Sequence, residues 1–397
     1  MSIESPSANA NALARIYRVM PCWTAVHRAG EALSLPPRTL LHAGPQFRDP
    51  RRLPPPMLNS AVLSCLYEGW AGDELEAERL IAAGGIKFEP SYSRRASTPL
   101  VAMISPNTTV VEIQDHQSGA RWFGFLGTGA GPQQRFGARD PAILDRLAFR
   151  ERELLPGFGA LLQAPIDLLS IARSALTEGD DLHNRLSSAT AVLHAVLGTR
   201  NTDASAVRAA LTTVVEAPLY FLNLWMPACA LMLDAAAGTI GSTLVTKLCS
   251  NGEVVGIQLA GMRDRWFTAV PALVQGPFMK GAPEHPQFPP ATGDSGIIDA
   301  FGLGGQALRR APSLLAAFAP WLAADDAPRA LRQLAGCHTV LGIEMGLDAA
   351  AIVRSGQSPL LSTGMVSAAG RGLLGRGLCA MPIEPFADAM RAMEMSS

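Results

Sequence analysis

The sequence predicts an α+β fold, with mixed sheets, flanking helices and a small all-α insertion module, on three observations. Short apolar runs bounded by Gly, Pro and Asn fill 86–126 and 241–268, which is a strand signature. Between them, residues 141–198 lose the strand signals, gain charge and take up helical spacing. The 397 residues, 48% hydrophobic and only 17% charged, suffice for more than one sizeable core. The expected division is an N-terminal α/β domain over 1–140, a small helical module over 141–205 and a glycine-rich C-terminal α/β domain over 206–397.

The chain opens on the polar MSIESPSANANA, which lacks the charged-then-apolar pattern of a signal peptide. Residues 11–33 have helical spacing broken at Pro21, which is expected to open a second helix. LLHAGPQF at 40–47 reads as a strand running into a loop, where Gly44 lets the backbone approach a ligand. After a Pro- and Arg-rich loop over 48–56, helical spacing returns over 57–83. There Glu68 lies among apolar neighbours and is expected to be buried, so that it needs a partner or a proton. Strands are expected at 86–90, 101–104, 110–113 and 121–126, followed by the glycine loop Gly127 to Gly131, whose N–H groups can face an anion. Helices are expected at 141–154, 158–162, 168–178 and 181–197, with a linker from Asn201 to Ser205.

The stretch from Leu219 to Thr268 organises the rest. Phe221 to Ala237 is apolar on all faces, which predicts a buried helix, and its two polar residues, Asn223 and Asp234, need partners inside the protein. Those residues and the absence of basic flanks favour a core helix over a membrane span. Residues 242–246, an Asn251-Gly252 turn and 254–259 then read as a hairpin. A Pro- and Gly-rich loop over 276–290 leads to Asp294-Ser295 among glycines. Next come an Ala-rich helical stretch at 312–335, short strands interleaved with glycines, and a last helix over 385–393.

A net charge of −1 gives no electrostatic case for nucleic acid or an anionic membrane. Six scattered cysteines, without C-x-x-C or zinc-finger spacing, imply a reducing cytoplasmic setting. No metal or cofactor is expected. The G-x-G-x-x-G at 370–375 lacks a βαβ unit and a following acid, and neither Ser242 nor Ser295 sits in G-x-S-x-G. GDDLHNR at 179–185 is the densest chemical cluster. Asp180 or Asp181 would cap a helix, while His183, Asn184 and Arg185 would face a site at its N-terminus. Arg265, in Arg263-Asp264-Arg265-Trp266, would fork a planar anion or else belong to a surface pair.

Nine segments taken together carry a family resemblance: LLHAGP at 40–45, YEGWA at 67–71, RFGA at 135–138, GDDLHNR at 179–185, FLNLWM at 221–226, GSTLVTKLCSNG at 241–252, GMRDRWF at 261–267, GDSGIIDAFGLGGQAL at 293–308 and STG at 362–364. The chain resembles the family catalogued as domain of unknown function 1116, which includes a subunit associated with oxamate carbamoyltransferase in anaerobic allantoin breakdown. The resemblance implies a cytoplasmic α+β protein, homo-oligomeric or with partner subunits. It implies carbamoyl transfer between a ureido acid such as oxalurate and phosphate, without a redox cofactor. Such chemistry needs anion clamps, oxyanion donors and a general acid or base. His183, Glu68 and His42 are the expected acid–base residues. Asn184, Arg185, Asn223, Asn251, Arg265, Asp294, Ser295, Gly304 and Thr363 are the expected substrate contacts.

Two departures from the family pattern stand out. Pro90-Ser91-Tyr92-Ser93-Arg94-Arg95 replaces a run of histidines, and Ser367-Ala368 replaces a His-Lys pair. They point to a changed substrate in specialised biosynthesis, a changed reaction, or a scaffold subunit that docks a catalytic partner; a small-molecule binding protein is the third reading. Throughout, Arg185, Arg265 and Asp294 are expected to share one cavity.

Overall fold

The helix Leu222–Asp234 is the axis of the fold, and its side chains are buried from Asn223 to Leu233 without a break. A helix apolar on every face must be covered on every face, and it is packed between two sheets. The computed structural model describes residues 7–200 and 202–395. The N-terminal residues 1–6 and Asn201 of the expected linker lie outside them. Helices make up 40% and strands 22% of an α+β fold with several small mixed sheets.

On one side lies a five-stranded sheet in the order Ala96–Ser97, Arg121–Phe125, Thr109–Asp115, Pro21–Arg28, Ile166–Asp167. Here the reading of a second helix at Pro21 is corrected. The first helix, Ala8–Tyr17, ends before it, and Pro21 opens a strand in the middle of the sheet. Proline is tolerated as a first strand residue, and β-branched Thr24 and Val26 favour the extended backbone that follows. The axial helix rests on this sheet at Gly124, where an added Cβ would lie 2.8 Å from Pro227 Cγ and 3.0 Å from the Asn223 carbonyl.

On the other side lies a four-stranded antiparallel sheet in the order Met262–Ala269, Val255–Leu259, Val245–Asn251, Thr292–Gly293. The expected hairpin is present. Asn251 Oδ1 accepts from the Glu253 and Val254 N–H groups, both at 2.9 Å, and Gly252 takes φ +86°.

Around these layers lie a parallel pair, Thr39–His42 with Lys87–Pro90, and two antiparallel pairs, Leu334–His338 with Ile343–Leu347 and Leu360–Val366 with Leu373–Ala380. The expected helical run over 57–83 is two helices, Pro55–Tyr67 and Glu74–Ala82, split where Gly69 takes φ +68° and Asp73 caps the second by accepting from Glu76 N–H at 2.7 Å. The stretch 312–335 is helical only at Pro312–Phe318 and Asp326–Arg329 with short 3₁₀ turns, and it ends in a strand. The helix expected from residue 181 starts later, at Ser187–Gly198, so GDDLHNR is a loop. Helices from Leu155 to Val215 pack their apolar faces into the same buried cluster as Trp23, Val111 and Trp225.

Candidate functional site

The loop carrying GDDLHNR is shaped by its own two carboxylates. Asp181 Oδ1 accepts from the N–H groups of His183 (3.1 Å), Asn184 (2.8 Å) and Arg185 (2.7 Å), folding three residues around one oxygen. Asp180 reaches on to the next helix and accepts from Ala189 N–H at 2.9 Å. Leu182 completes the turn at φ +57°, in the left-handed region that non-glycine residues seldom occupy. The result presents His183 and Asn184 to an internal hollow.

His183 is fixed from below. Its Nδ1 lies 3.1 Å from Asp299 Oδ2, off the line of an ideal N–H···O bond, so the contact is mainly one of charge. Asp299 Oδ1 in turn accepts from Gly305 N–H (2.8 Å) and Ser362 N–H (3.1 Å). Burial opposes the imidazolium, but the charge and proximity of Asp299 outweigh it and hold the His183 pKa above the ordinary histidine value. Burial likewise raises Asp299, with His183 working against that rise. The expected ligand residue Gly304 belongs to this floor. At φ +55°, an added Cβ would sit 2.6 Å from Asp299 Oδ1 and 2.7 Å from His183 Nδ1.

The hollow has a volume of about 60 Å³, enough for roughly four waters or one molecule of a few heavy atoms. Besides His183 and Asn184 it is walled by Arg135, Ser295, Thr363 and Arg376. Arg135 and Arg376 carry the strongest signal in the molecule. Arg135 is 9% exposed, lies over the Phe136 ring, and its Nε has no hydrogen-bond partner. Neither guanidinium has a carboxylate within ion-pair distance among the described residues. Burial, reinforced by the charge of Arg376, pulls the Arg135 pKa down to about 10, and burial lowers Arg376 as well. Two partly dehydrated cations that repel one another and lack a counter-ion are stable only at a cost, which an anion between them would remove.

The hollow opens onto a vestibule of about 460 Å³ that shares Arg135 and Arg376 and is edged by Gly129, Ala130 and Gly131 of the glycine loop. The carbonyls of Thr128 and Ala130 accept from Arg146, which pins the loop.

Of the expected site residues, the structure gathers His183, Asn184, Ser295 and Thr363 around the hollow. Asn184 Nδ2 donates to Asp181 Oδ2 (3.0 Å) and Ser362 Oγ (2.9 Å), and Thr363 Oγ1 donates to the Thr292 carbonyl (2.9 Å). The rest lie elsewhere. His42 is wholly buried, stacked on Phe47 at 4.0 Å, with Nδ1 donating to the Ala43 carbonyl; burial drops its pKa to about 4, so it is a neutral core residue. Glu68 is only half-buried and ties down a turn by accepting from Asn107 N–H (2.7 Å) and Nδ2 (2.9 Å). Asn223 donates to the Tyr220 carbonyl (2.8 Å) and packs on Gly127, while Asn251 donates to the Pro45 carbonyl (2.7 Å).

The expected meeting of Arg185, Arg265 and Asp294 in one cavity does not occur. Arg185 is spent locally, on Asp180 at 3.4 Å and the Gly179 carbonyl at 3.2 Å. Arg265 is exposed, over Phe267. Asp294 accepts from Gly44 N–H (2.9 Å), Ser91 Oγ (2.5 Å), Thr98 N–H (2.8 Å) and Thr98 Oγ1 (3.3 Å). Gly44 is thus held against protein backbone rather than a ligand.

Sequence reasoning passed over Arg135 and Arg376. The signals available were an arginine in the RFGA motif and one inside Gly375-Arg376-Gly377. Neighbouring strand residues face opposite ways; the two glycines admit the backbone of 275–277 on one face and leave Arg376 on the other.

Residues 86–295 match the family described as oxamate carbamoyltransferase subunit AllG. Over 410 residues the chain is 30% identical to the oxamate carbamoyltransferase subunit AllG of Escherichia coli K12, covering 98% of this chain and 97% of that protein. It is 26% identical over 403 residues to the uncharacterized protein YahG of the same organism, covering 97% of this chain and 85% of the other. A crystal structure of a conserved protein of unknown function from Enterococcus faecalis V583 superposes with a TM-score of 0.91 at 26% identity, covering 98% and 97% of the two chains. The chain therefore belongs to the oxamate carbamoyltransferase subunit AllG family.

Proposed function

We propose that this chain is a carbamoyl- or acyl-transfer subunit that binds a small, carboxylate-bearing ureido or amide substrate, its carboxylate in the hollow between Arg135 and Arg376 and the rest extending into the vestibule. The observation that carries the reading is a buried and a half-buried guanidinium group without a carboxylate partner among the described residues, set beside a histidine whose pKa Asp299 raises. The name of the Escherichia coli relative supports the same class of chemistry.

Each group has a role in this reading. The substrate carboxylate lies in the guanidinium forks, which match its planar geometry. Asn184, Ser295 and Thr363 supply polar contacts that fix the rest of the molecule. When a phosphate oxygen attacks the carbamoyl carbon, charge develops on the carbamoyl oxygen and then on the departing nitrogen as the C–N bond breaks. His183, whose proton Asp299 helps to retain, donates it to that nitrogen, which is general acid catalysis.

The test is calorimetric titration with small ureido and amide acids, together with an assay of carbamoyl phosphate formation from them with phosphate. Arg376→Gln and His183→Gln should each abolish turnover, and Arg376→Gln should weaken binding about a hundredfold, the loss of charged hydrogen bonds in a dry site. If both variants bind and react like the unaltered chain, the reading fails.

A second reading, a subunit that holds substrate for a catalytic partner, is favoured by one observation. Val270 (64%), Leu273 (60%), Phe278 (47%) and Met279 (54%) are exposed along one segment, and Met279 edges the vestibule. Under this reading the purified chain binds substrate but turns it over only when the partner is restored.

A further inference from the structure

A second polar recess, unrelated to the hollow, lies at the other end of the axial helix. Leu222, at the helix start, walls the hollow, while Leu231 and Asp234, at its end, wall a cleft of about 700 Å³. At about 1.5 Å rise per residue the two are separated by roughly 18 Å. No single small molecule spans both.

The cleft is cationic. Arg15, Arg18, Arg95, Lys247 and Arg263 line it against Asp115, Asp234 and Asp264, five positive charges to three negative. The acids are largely committed. Asp115 accepts from the N–H groups of Met20, Gln117 and Ser118, and Asp234 pairs with Arg95 at 3.0 Å. Asp264, 89% exposed, lies 3.4 Å from Arg263.

Lys247 is the residue that this arrangement leaves open. It projects from the Val245–Asn251 strand, flanked by buried Thr246 and Leu248, and its ammonium makes no hydrogen bond or ion pair among the described residues. Its Nζ lies 5.6 Å from the centre of the Tyr92 ring, and Tyr92, 5% exposed, has a hydroxyl with no hydrogen-bond partner among the described residues. Burial pulls the Lys247 pKa down and pushes that of Tyr92 up. Beside them Arg95 is locked at φ +53° with its guanidinium 5.4 Å from the centre of the Trp122 ring. An ammonium with three donors and a phenol with one, both sheltered and both unmet, form a built site rather than a solvated charged face.

We propose that this cleft is a second binding site, for a small molecule carrying at least two negative charges, held by Lys247 and Tyr92 at its floor and by Arg18 and Arg263 at its rim. Lys247 meets one anionic group as a compact point charge, and the rim arginines meet the second in their forks. Because the hollow is so far away, the ligand here is a second molecule, not an extension of the first.

The test is isothermal titration of the full chain with inorganic phosphate and, separately, with malonate. The proposal expects saturable binding of one or both, weakened at least about tenfold by Lys247→Met and by Arg18→Gln, as loss of a charge-assisted bond would do. Lys247→Arg should restore most of it. Arg376→Gln removes any anion held in the hollow and should leave the Lys247-dependent binding in place, so this proposal and the hollow's function fail independently. Preference for phosphate identifies a phosphoryl ligand, and preference for malonate a dicarboxylate. The proposal is overturned if the folded protein shows no saturation with either anion up to about 20 mM, weaker than any specific site would be. It is equally overturned if binding survives Lys247→Met but is lost in Arg376→Gln.

Discussion

Two buried polar centres in this molecule invite comparison. At Asp294 the carboxylate receives four hydrogen bonds, from Gly44, Ser91 and Thr98, and joins three distant segments of the chain. At Arg135 and Arg376 two charges of the same sign face a hollow with no carboxylate among the described residues to meet them. Asp294 and Arg135 are buried and Arg376 is half-buried, but only Asp294 stood out in the sequence. The difference lies in what is left over: Asp294 has its partners within the chain, whereas the arginines have theirs still to come. Satisfied polar groups hold a fold together, and unsatisfied ones announce a ligand.

The sharpest way to break the comparison is to remove Asp294. Asp294→Ala would strand two buried N–H groups and two hydroxyls, at a cost of about 3 kcal/mol or more, read as a lower midpoint in denaturant unfolding; an unchanged midpoint would refute the structural role. Next in size, Arg135→Gln and Arg376→Gln should each weaken binding of a carboxylate ligand by about a hundredfold while leaving unfolding stability equal or higher, since each relieves like-charge repulsion. A large loss of stability in either would make them structural too.

A smaller effect follows from titration. Burial raises the Asp294 pKa from 3.8 to about 6, so between those values the folded state holds more protons than the unfolded one. Stability should therefore fall as pH rises across that window, and the slope should flatten in Asp294→Asn. For His183 the raised pKa means that its charge, and under the proposed function its part in holding an anion, is present at low pH and lost as pH rises through the folded value. Affinity for the ligand should decline over the same range in the unaltered chain and not in His183→Gln. Smallest of all, Arg265→Ala and Glu68→Gln should change binding less than about twofold, because neither touches the hollow.

Particular residues show what the sequence made legible. The hairpin over 245–259 could be read because its turn needs Asn251-Gly252 and β-branched residues crowd the strands on either side. The axial helix could be read because a run without a polar face has only one home. Pro21 was misread because helical spacing and a strand entrance look alike over a few residues, and only pairing with Thr109–Asp115 decides between them. In the site, His183 and Asn184 were visible because the acids that shape their loop are adjacent in sequence. Arg185 and Arg265 outranked Arg135 and Arg376 because sequence shows which residues are charged but not which find a partner. Arg185 is neutralised by Asp180 five positions away, whereas Arg376 owes its isolation to residues from half the chain.

The seat of His183 leaves no slack. With Gly304 pressed beneath both the imidazole and Asp299, even one methyl at that position would unseat the pair. Under the proposed function, a descendant of this protein that takes a new substrate must therefore remodel the ceiling and sides of the chamber, around Thr363, Leu373 and Phe136, and keep its foundation. Divergence of specificity in this lineage has a direction imposed on it by the absence of a single carbon atom.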